Sequence, residues 1–163
     1  MASLKYRCLT PNVEVEEHPV AASQKFFHEG GAFCYLDGSG HVTNCIVDTA
    51  SIYGWVLVPQ GRGAGTSDAY WQSSATAGKD KVMVVVDEDA KFLVTVDAAI
   101  TIANVGDALD FATPPSNDGT VQTFALTTPG EDVARIVGLG TSLKGGTTTN
   151  AIVKINVFQA DTA

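Results

Sequence analysis

Four side chains able to act as soft ligands crowd one short stretch: His28, Cys34, His41 and Cys45 lie within 18 residues. Imidazole nitrogens and thiolates are what zinc binds. Their separations are five, six and three intervening residues. That pattern lacks the C-x-x-C or H-x3-H knuckle by which one turn presents two ligands to a tetrahedral ion. A thiol beside an imidazole is also the pair of a covalent hydrolase, so Cys34 with His28 or His41 is a candidate nucleophile and base. The simpler reading is core thiols and surface imidazoles, and no metal is expected. With Cys8 the cysteines are an odd set, read as free thiols of a reducing compartment.

Other chemistry fails on spacing. Gly140-Thr-Ser-Leu-Lys-Gly-Gly-Thr147 resembles a phosphate loop, but G-x-x-x-x-G-K-[ST] requires Lys at position 146, where this chain has Gly. Without that ammonium the β/γ-phosphate contact is lost, so no nucleotide cofactor is expected. Gly61-Arg-Gly-Ala-Gly65 is not G-x-G-x-x-G. No G-x-S-x-G elbow is present, and His18, His28 and His41 have no local triad context. Asp87, Glu88 and Asp89 are a carboxylate cluster of the kind that binds a hard cation. They read equally as a charged turn that discourages edge pairing. Trp55, Tyr70 and Trp71 suggest a sugar- or base-stacking platform, or packing in a core or interface. No catalytic or cofactor-binding residue emerges.

The elements that would position these residues are strands. Ala32–Leu36 and His41–Val47 flank Asp37-Gly-Ser-Gly40, a hairpin signal. Ile52–Val58 is aromatic and β-branched, and Pro59 closes it. Val82–Val86 is continuously apolar, which predicts cover on both faces. After the polar turn Asp87–Ala90, Lys91–Val96 alternates, with Phe92, Val94 and Val96 on one side. Ile100–Ala103, Gly106–Phe111, Val121–Leu126, Val133–Leu139 and Ala151–Phe158 follow, the last with Ala151, Val153, Ile155 and Val157 on one face. Ala21–Glu29 has the composition for one or two helical turns ended by Gly30-Gly31. The sequence therefore predicts an all-β protein: a small barrel or sandwich with an extended N-terminal arm and a long central loop. Residues 1–30 form the arm and 31–163 a single β-rich domain. Within it a hairpin layer spans 31–59, the loop 60–80 and a barrel 81–163.

Composition limits the partners. The chain has 163 residues, enough to bury roughly 70% of its unfolded surface without metals or disulfides. Its net charge is −8, which disfavours nucleic acid, since phosphate binding needs clustered Lys and Arg. Met1–Cys8 has no apolar core of a signal peptide, and no run is long enough for a membrane span. The expected setting is a cytoplasm, or an assembly built there. Only 17% of residues are charged, against about 25% in ordinary soluble domains. Apolar surface must therefore be hidden, in a core or against other chains.

Several segments, taken in order, resemble the cement (decoration) proteins of tailed-bacteriophage heads. They are Gly54-Trp-Val-Leu-Val-Pro59, Ser67-Asp-Ala-Tyr-Trp-Gln-Ser-Ser74 and Lys81-Val-Met-Val-Val-Val-Asp-Glu-Asp-Ala-Lys-Phe-Leu-Val94. They continue with Val105-Gly-Asp-Ala-Leu-Asp110, Ala134-Arg-Ile-Val-Gly-Leu139 and Ile152-Val-Lys-Ile-Asn-Val157. The likeness covers about the C-terminal two-thirds, and the Gly30–Asp48 hairpin more weakly. It implies a structural protein on the outer capsid surface of the virion, commonly a homotrimer, that bridges major capsid protein subunits. In that reading the acidic arm, with Glu14, Glu16 and Glu17, and the loop carrying Tyr70 and Trp71 are interface elements, with Trp55 nearby. Alternatives are a head-fibre base or tail-tube component, a β-sandwich enzyme, or a carbohydrate-binding module.

Overall fold

A computed structural model describes residues 7–27, 31–59, 70–126, 132–140 and 146–159. Thirteen strands lie among them: β1 (Arg7–Cys8), β2 (Val15–Pro19), β3 (Lys25–Phe27), β4 (Ala32–Leu36), β5 (Val42–Asn44), β6 (Gly54–Leu57), β7 (Tyr70–Gln72), β8 (Lys81–Val85), β9 (Phe92–Ile100), β10 (Ala108–Thr113), β11 (Thr123–Ala125), β12 (Ala134–Leu139) and β13 (Thr148–Ile155). The fold is all-β. Strands β9-β11-β10-β12-β13 close on themselves through the β13–β9 pairing, making a five-stranded barrel, and β1 adds to β9. Closure leaves the barrel without open edges. Its interior takes the alternating residues expected from the sequence: Phe92, Val94 and Val96 from β9, and Ala151, Val153 and Ile155 from β13. Among the described residues no helix is long and apolar enough to cross a membrane.

A second sheet, ordered β2-β8-β6-β4-β5, packs on the barrel. Register explains how. Phe33, Trp55 and Val85 stand opposite one another across β4, β6 and β8, so they share one face. That face joins the barrel core. Their neighbours Ala32, Cys34, Val56, Val82 and Val84 point the other way, into a second core closed by Phe26 of β3 and Trp71 of β7. The molecule is thus layered as barrel, sheet and two-stranded ribbon. The apolar run of β8 is covered on both faces at Val84 and Val85, but Met83 emerges to solvent.

Three local expectations change. The helical turns proposed for Ala21–Glu29 are replaced over Lys25–Phe27 by β3, because Phe26 is buried against Trp71 and tertiary packing overrides a weak local preference; residues 28–30 lie outside the described set. The loop 60–80 contains β7, which pairs with β3, while 60–69 lie outside the described residues. The strand proposed at Ile100–Ala103 ends at Ile100. There Thr101 caps a 3-10 turn over Ile102–Asn104, and Asn104 returns a bond to the Thr101 N–H. The barrel strands begin at Phe92, and β8 belongs to the second sheet rather than to the barrel.

Gln122, just before β11, ties the barrel to the sheet. Its Oε1 accepts the Phe33 N–H at 2.7 Å. Its Nε2 donates to the Phe33 carbonyl at 2.8 Å, and to the Cys45 carbonyl and Asn44 Oδ1 at 3.0 Å each. All these groups are buried. Replacing Gln122→Leu keeps the volume but strands a donor and several acceptors in the core, each costing about 1–3 kcal/mol before relaxation. We expect the variant to lose about 2–4 kcal/mol in urea unfolding with an unchanged m value. A loss under about 1 kcal/mol would show the link to be dispensable.

Candidate functional site

The least protected element of the sheet is β2, whose residues are mostly exposed. Its hydrogen-bond parity is set at both ends. Val86 N–H donates to the Glu14 carbonyl at 3.0 Å, and Val20 N–H to the Asp80 carbonyl at 2.9 Å. In an antiparallel ladder every second residue faces the partner strand. Glu14, Glu16, His18 and Val20 therefore bond inward to β8, and the main-chain groups of Val15 and Glu17 face outward. Pro19 has no N–H to offer there.

On one side of this edge is a cleft of about 640 Å³. Glu14 and Glu16 reach it from the arm, Asp87 and Glu88 from the β8–β9 turn, with Tyr53 and Phe158 completing the wall. Pairing of β2 with β8 brings the two acidic runs together; they are 73 positions apart in sequence between Glu14 and Asp87. Tyr53 donates its hydroxyl to Glu16 Oε2 at 2.6 Å, and His18 Nε2 lies 2.9 Å from the same oxygen. His18 also meets the Tyr53 ring edge-on, with centroids 5.1 Å apart. The Tyr53 hydrogen bond first, and the His18 contact second, hold the Glu16 carboxyl below the usual carboxylate range. Glu16 is therefore an ionised acceptor at neutral pH. Among the described residues no Lys or Arg pairs with Glu14, Glu16, Asp87 or Glu88. Lys154 instead reaches Asp89 at 3.0 Å.

The other face of the sheet is the one that packs on the barrel. The row Phe33–Trp55–Val85 is covered, but Val15 at its outer end is 39% exposed. In the next row Leu57 and Met83 stand opposite each other, 43% and 38% exposed, beside Glu17. Glu17 pairs with Lys81 at 3.6 Å. The result is an apolar shelf beside that ion pair.

The other proposed site residues are placed elsewhere. Trp55 is fully buried, stacked on Phe92 at 5.0 Å, and Trp71 is 4% exposed against Phe26. Both are core residues, in different cores, so they offer no surface to a sugar or a partner. Large aromatic area makes them the best core fillers the chain has. Tyr70 is half-buried, with its ring beside Gly119 and Lys25 Nζ 5.1 Å from its centroid. Among the described residues the proposed ligands form no cluster of three: Cys34 and Cys45 face opposite cores, and His41 lies 3.7 Å from Asp37. His28 is outside the described residues. Burial pushes both core thiols well above the usual thiol range, so neither supplies a thiolate nucleophile at neutral pH. Tyr53, Leu57, Met83 and Phe158 were not singled out by sequence reasoning. The period-two spacing of Glu14, Glu16 and His18, followed by Pro19, was the available signal for an acidic edge strand.

No protein-family model matches this chain, and no curated protein matches it.

Two outcomes are expected. A carboxylate lowered by folded-state partners adds stability that is complete above its ordinary pKa and is lost as pH falls through the lowered value. Tyr53→Phe removes the larger cause, so the Glu16 carboxyl carbon should titrate at higher pH by NMR, and the stability it loses on acidification should be smaller and complete at higher pH. An unmoved titration would exclude the Tyr53 hydrogen bond as the cause. With a thiol reagent on the native chain, the half-buried Cys8 should be modified first, and Cys34 and Cys45 only at the rate of unfolding. Rapid labelling of either core thiol would contradict the assignment.

Proposed function

We propose that this chain is a capsid cement protein of a tailed bacteriophage, binding the outer surface of the assembled head and bridging major capsid subunits as a homotrimer. The observation that carries the reading is the shelf formed by Val15, Leu57 and Met83. These apolar side chains project from a rigid sheet whose next row is packed in the core, and the Glu17–Lys81 pair lies beside them. Apolar side chains held partly exposed on a rigid sheet face support a protein contact as their cover. Five of the six segments that resemble cement proteins fall on β6 and β8 of the sheet, on β9, on the turn into β10, and on β12 and β13 of the barrel; the described part of the sixth, Ser67–Ser74, carries β7 of the ribbon. A net charge of −8 suits the side of a shell that faces away from packaged DNA.

The mechanism is linkage. A protein that binds the assembled shell and not its separated subunits stabilises the shell by RT ln(1 + [L]/Kd) per site. Many copies repeat that term around the lattice. Because the shelf is part of a sheet pinned to a barrel, little conformational entropy is lost when it docks.

Purified protein mixed with undecorated mature heads should bind saturably and raise the temperature of DNA release. The double variant Leu57→Thr, Met83→Thr should weaken that binding by about tenfold or more. Its own melting should change little, because Thr suits a partly exposed strand position and adds no charge beside Glu17. Absence of saturable binding by the unaltered protein would overturn the proposal, as would a hexameric ring by mass measurement, which belongs to a tube component.

A further inference from the structure

The geometry points to strand β2 as a docking edge for an extended partner segment in which Lys or Arg alternates with apolar residues. Among the described residues the main-chain N–H and C=O of Val15 and Glu17 have no hydrogen-bond partner, while Glu14, Glu16 and His18 are committed to β8. An added strand would take up these groups. Its side chains would then alternate between the two faces of the sheet. Those on one face would fall beside Glu14 and Glu16 and the cleft they share with Asp87 and Glu88. Those on the other would fall beside Val15 and the Met83–Leu57 shelf.

Charge selects the occupant. The cleft carries four carboxylates and, among the described residues, no Lys or Arg pairs with them. A second copy of this chain is the obvious competitor for an open edge. Antiparallel self-pairing centred on Glu16 would place Glu16 opposite Glu16 and bring two acidic clefts together, which like-charge pairing opposes. An alternating cationic segment neutralises one face and covers apolar surface on the other. Pro19 ends the docking window, since it lacks a donor. Main-chain bonds supply affinity in such strand addition and the alternate side chains supply selectivity. The inference deepens the protein-contact reading of the shelf, but it does not need the partner to be a capsid subunit.

The test uses the full chain and three seven-residue peptides: alternating Lys–Val, alternating Glu–Val, and a Lys–Val block peptide of the same composition. Each carries N-methyl groups along one edge, so that it cannot stack on itself. The alternating Lys–Val peptide should bind about tenfold tighter than either control. At saturation the amides of Val15 and Glu17 should exchange about tenfold more slowly, and no other strand should respond as strongly. Glu17→Pro removes one outward donor and leaves the β2–β8 ladder intact; it should abolish binding. Glu14→Gln with Glu16→Gln should weaken binding and flatten its salt dependence, a readout that survives if the proline variant misfolds. Equal binding of the three peptides, or protection away from Val15 and Glu17, would overturn the inference. So would concentration-dependent protection of these amides without peptide, which would assign the edge to a second copy. Loss of head binding with retained peptide binding would overturn only the capsid reading, and the converse only this one.

Discussion

Everything in this molecule is arranged around Phe33. Its ring makes edge-to-face contacts with Trp55 at 4.7 Å, Phe92 at 5.1 Å, Phe124 at 5.7 Å and Phe111 at 6.2 Å. Such pairs each add about 0.5–1.5 kcal/mol beyond the area they bury. Two of these partners stand in the barrel strands β10 and β11, one opens β9, and one belongs to the sheet. The main chain of the same residue is held by Gln122, whose side chain engages both its N–H and its C=O. Phe33 is therefore held to the barrel by both its ring and its main chain. Gly54 serves the same contact, since a Cβ there would collide with the Val85 carbonyl oxygen and push β6 off β8.

Two consequences follow from committing one row of the sheet to the barrel. The opposite face of the sheet is also apolar, so it needs its own cover, which the β3–β7 ribbon supplies through Phe26 and Trp71. And the core shared with the barrel takes the row Phe33–Trp55–Val85, while Leu57 and Met83 in the next row and Val15 at the edge stay partly exposed. These partly exposed side chains are held in place because their neighbours along or across the strands are core residues. The acidic cleft arises from the same packing, since β2 can pair only with β8, and β8 leads into the Asp87–Asp89 turn. Shelf, edge and cleft are three aspects of one strand's position.

Much of the fold was legible in the residues. Alternation located Phe92, Val94 and Val96, and Ala151, Val153 and Ile155, on the inward faces of β9 and β13. The Asp37–Gly40 turn was legible because its chemistry is local: Asp37 Oδ1 accepts the N–H groups of Ser39 and His41. The β3–β7 ribbon was not, because Lys25–Phe27 and Tyr70–Gln72 are short and carry no period of their own. They become strands only by pairing across 43 positions between Phe27 and Tyr70. The candidate site was legible in part. Glu14, Glu16 and Glu17 lie on the exposed edge of the sheet, as their polar spacing suggests, whereas Trp55 and Trp71, equally suggestive in sequence, lie in the cores. An aromatic residue has the same sequence signature whether it packs inward or waits for a partner.

The sequence by itself determined the class of structure. Short β-branched runs, turn residues between them and few charges admit strands and little else, because side-chain period and backbone preference are local properties. It also determined that acids would cluster on the arm and at one turn. Only the tertiary structure decided that these two acidic runs face one cleft, that Glu16 carries the hydrogen bonds of Tyr53 and His18, and that Val15 and Glu17 present an open edge. Those facts depend on which strand pairs with which and on which face of the sheet packs on the barrel. Both are settled by the competition of many long-range contacts for one core, which no local stretch of residues encodes.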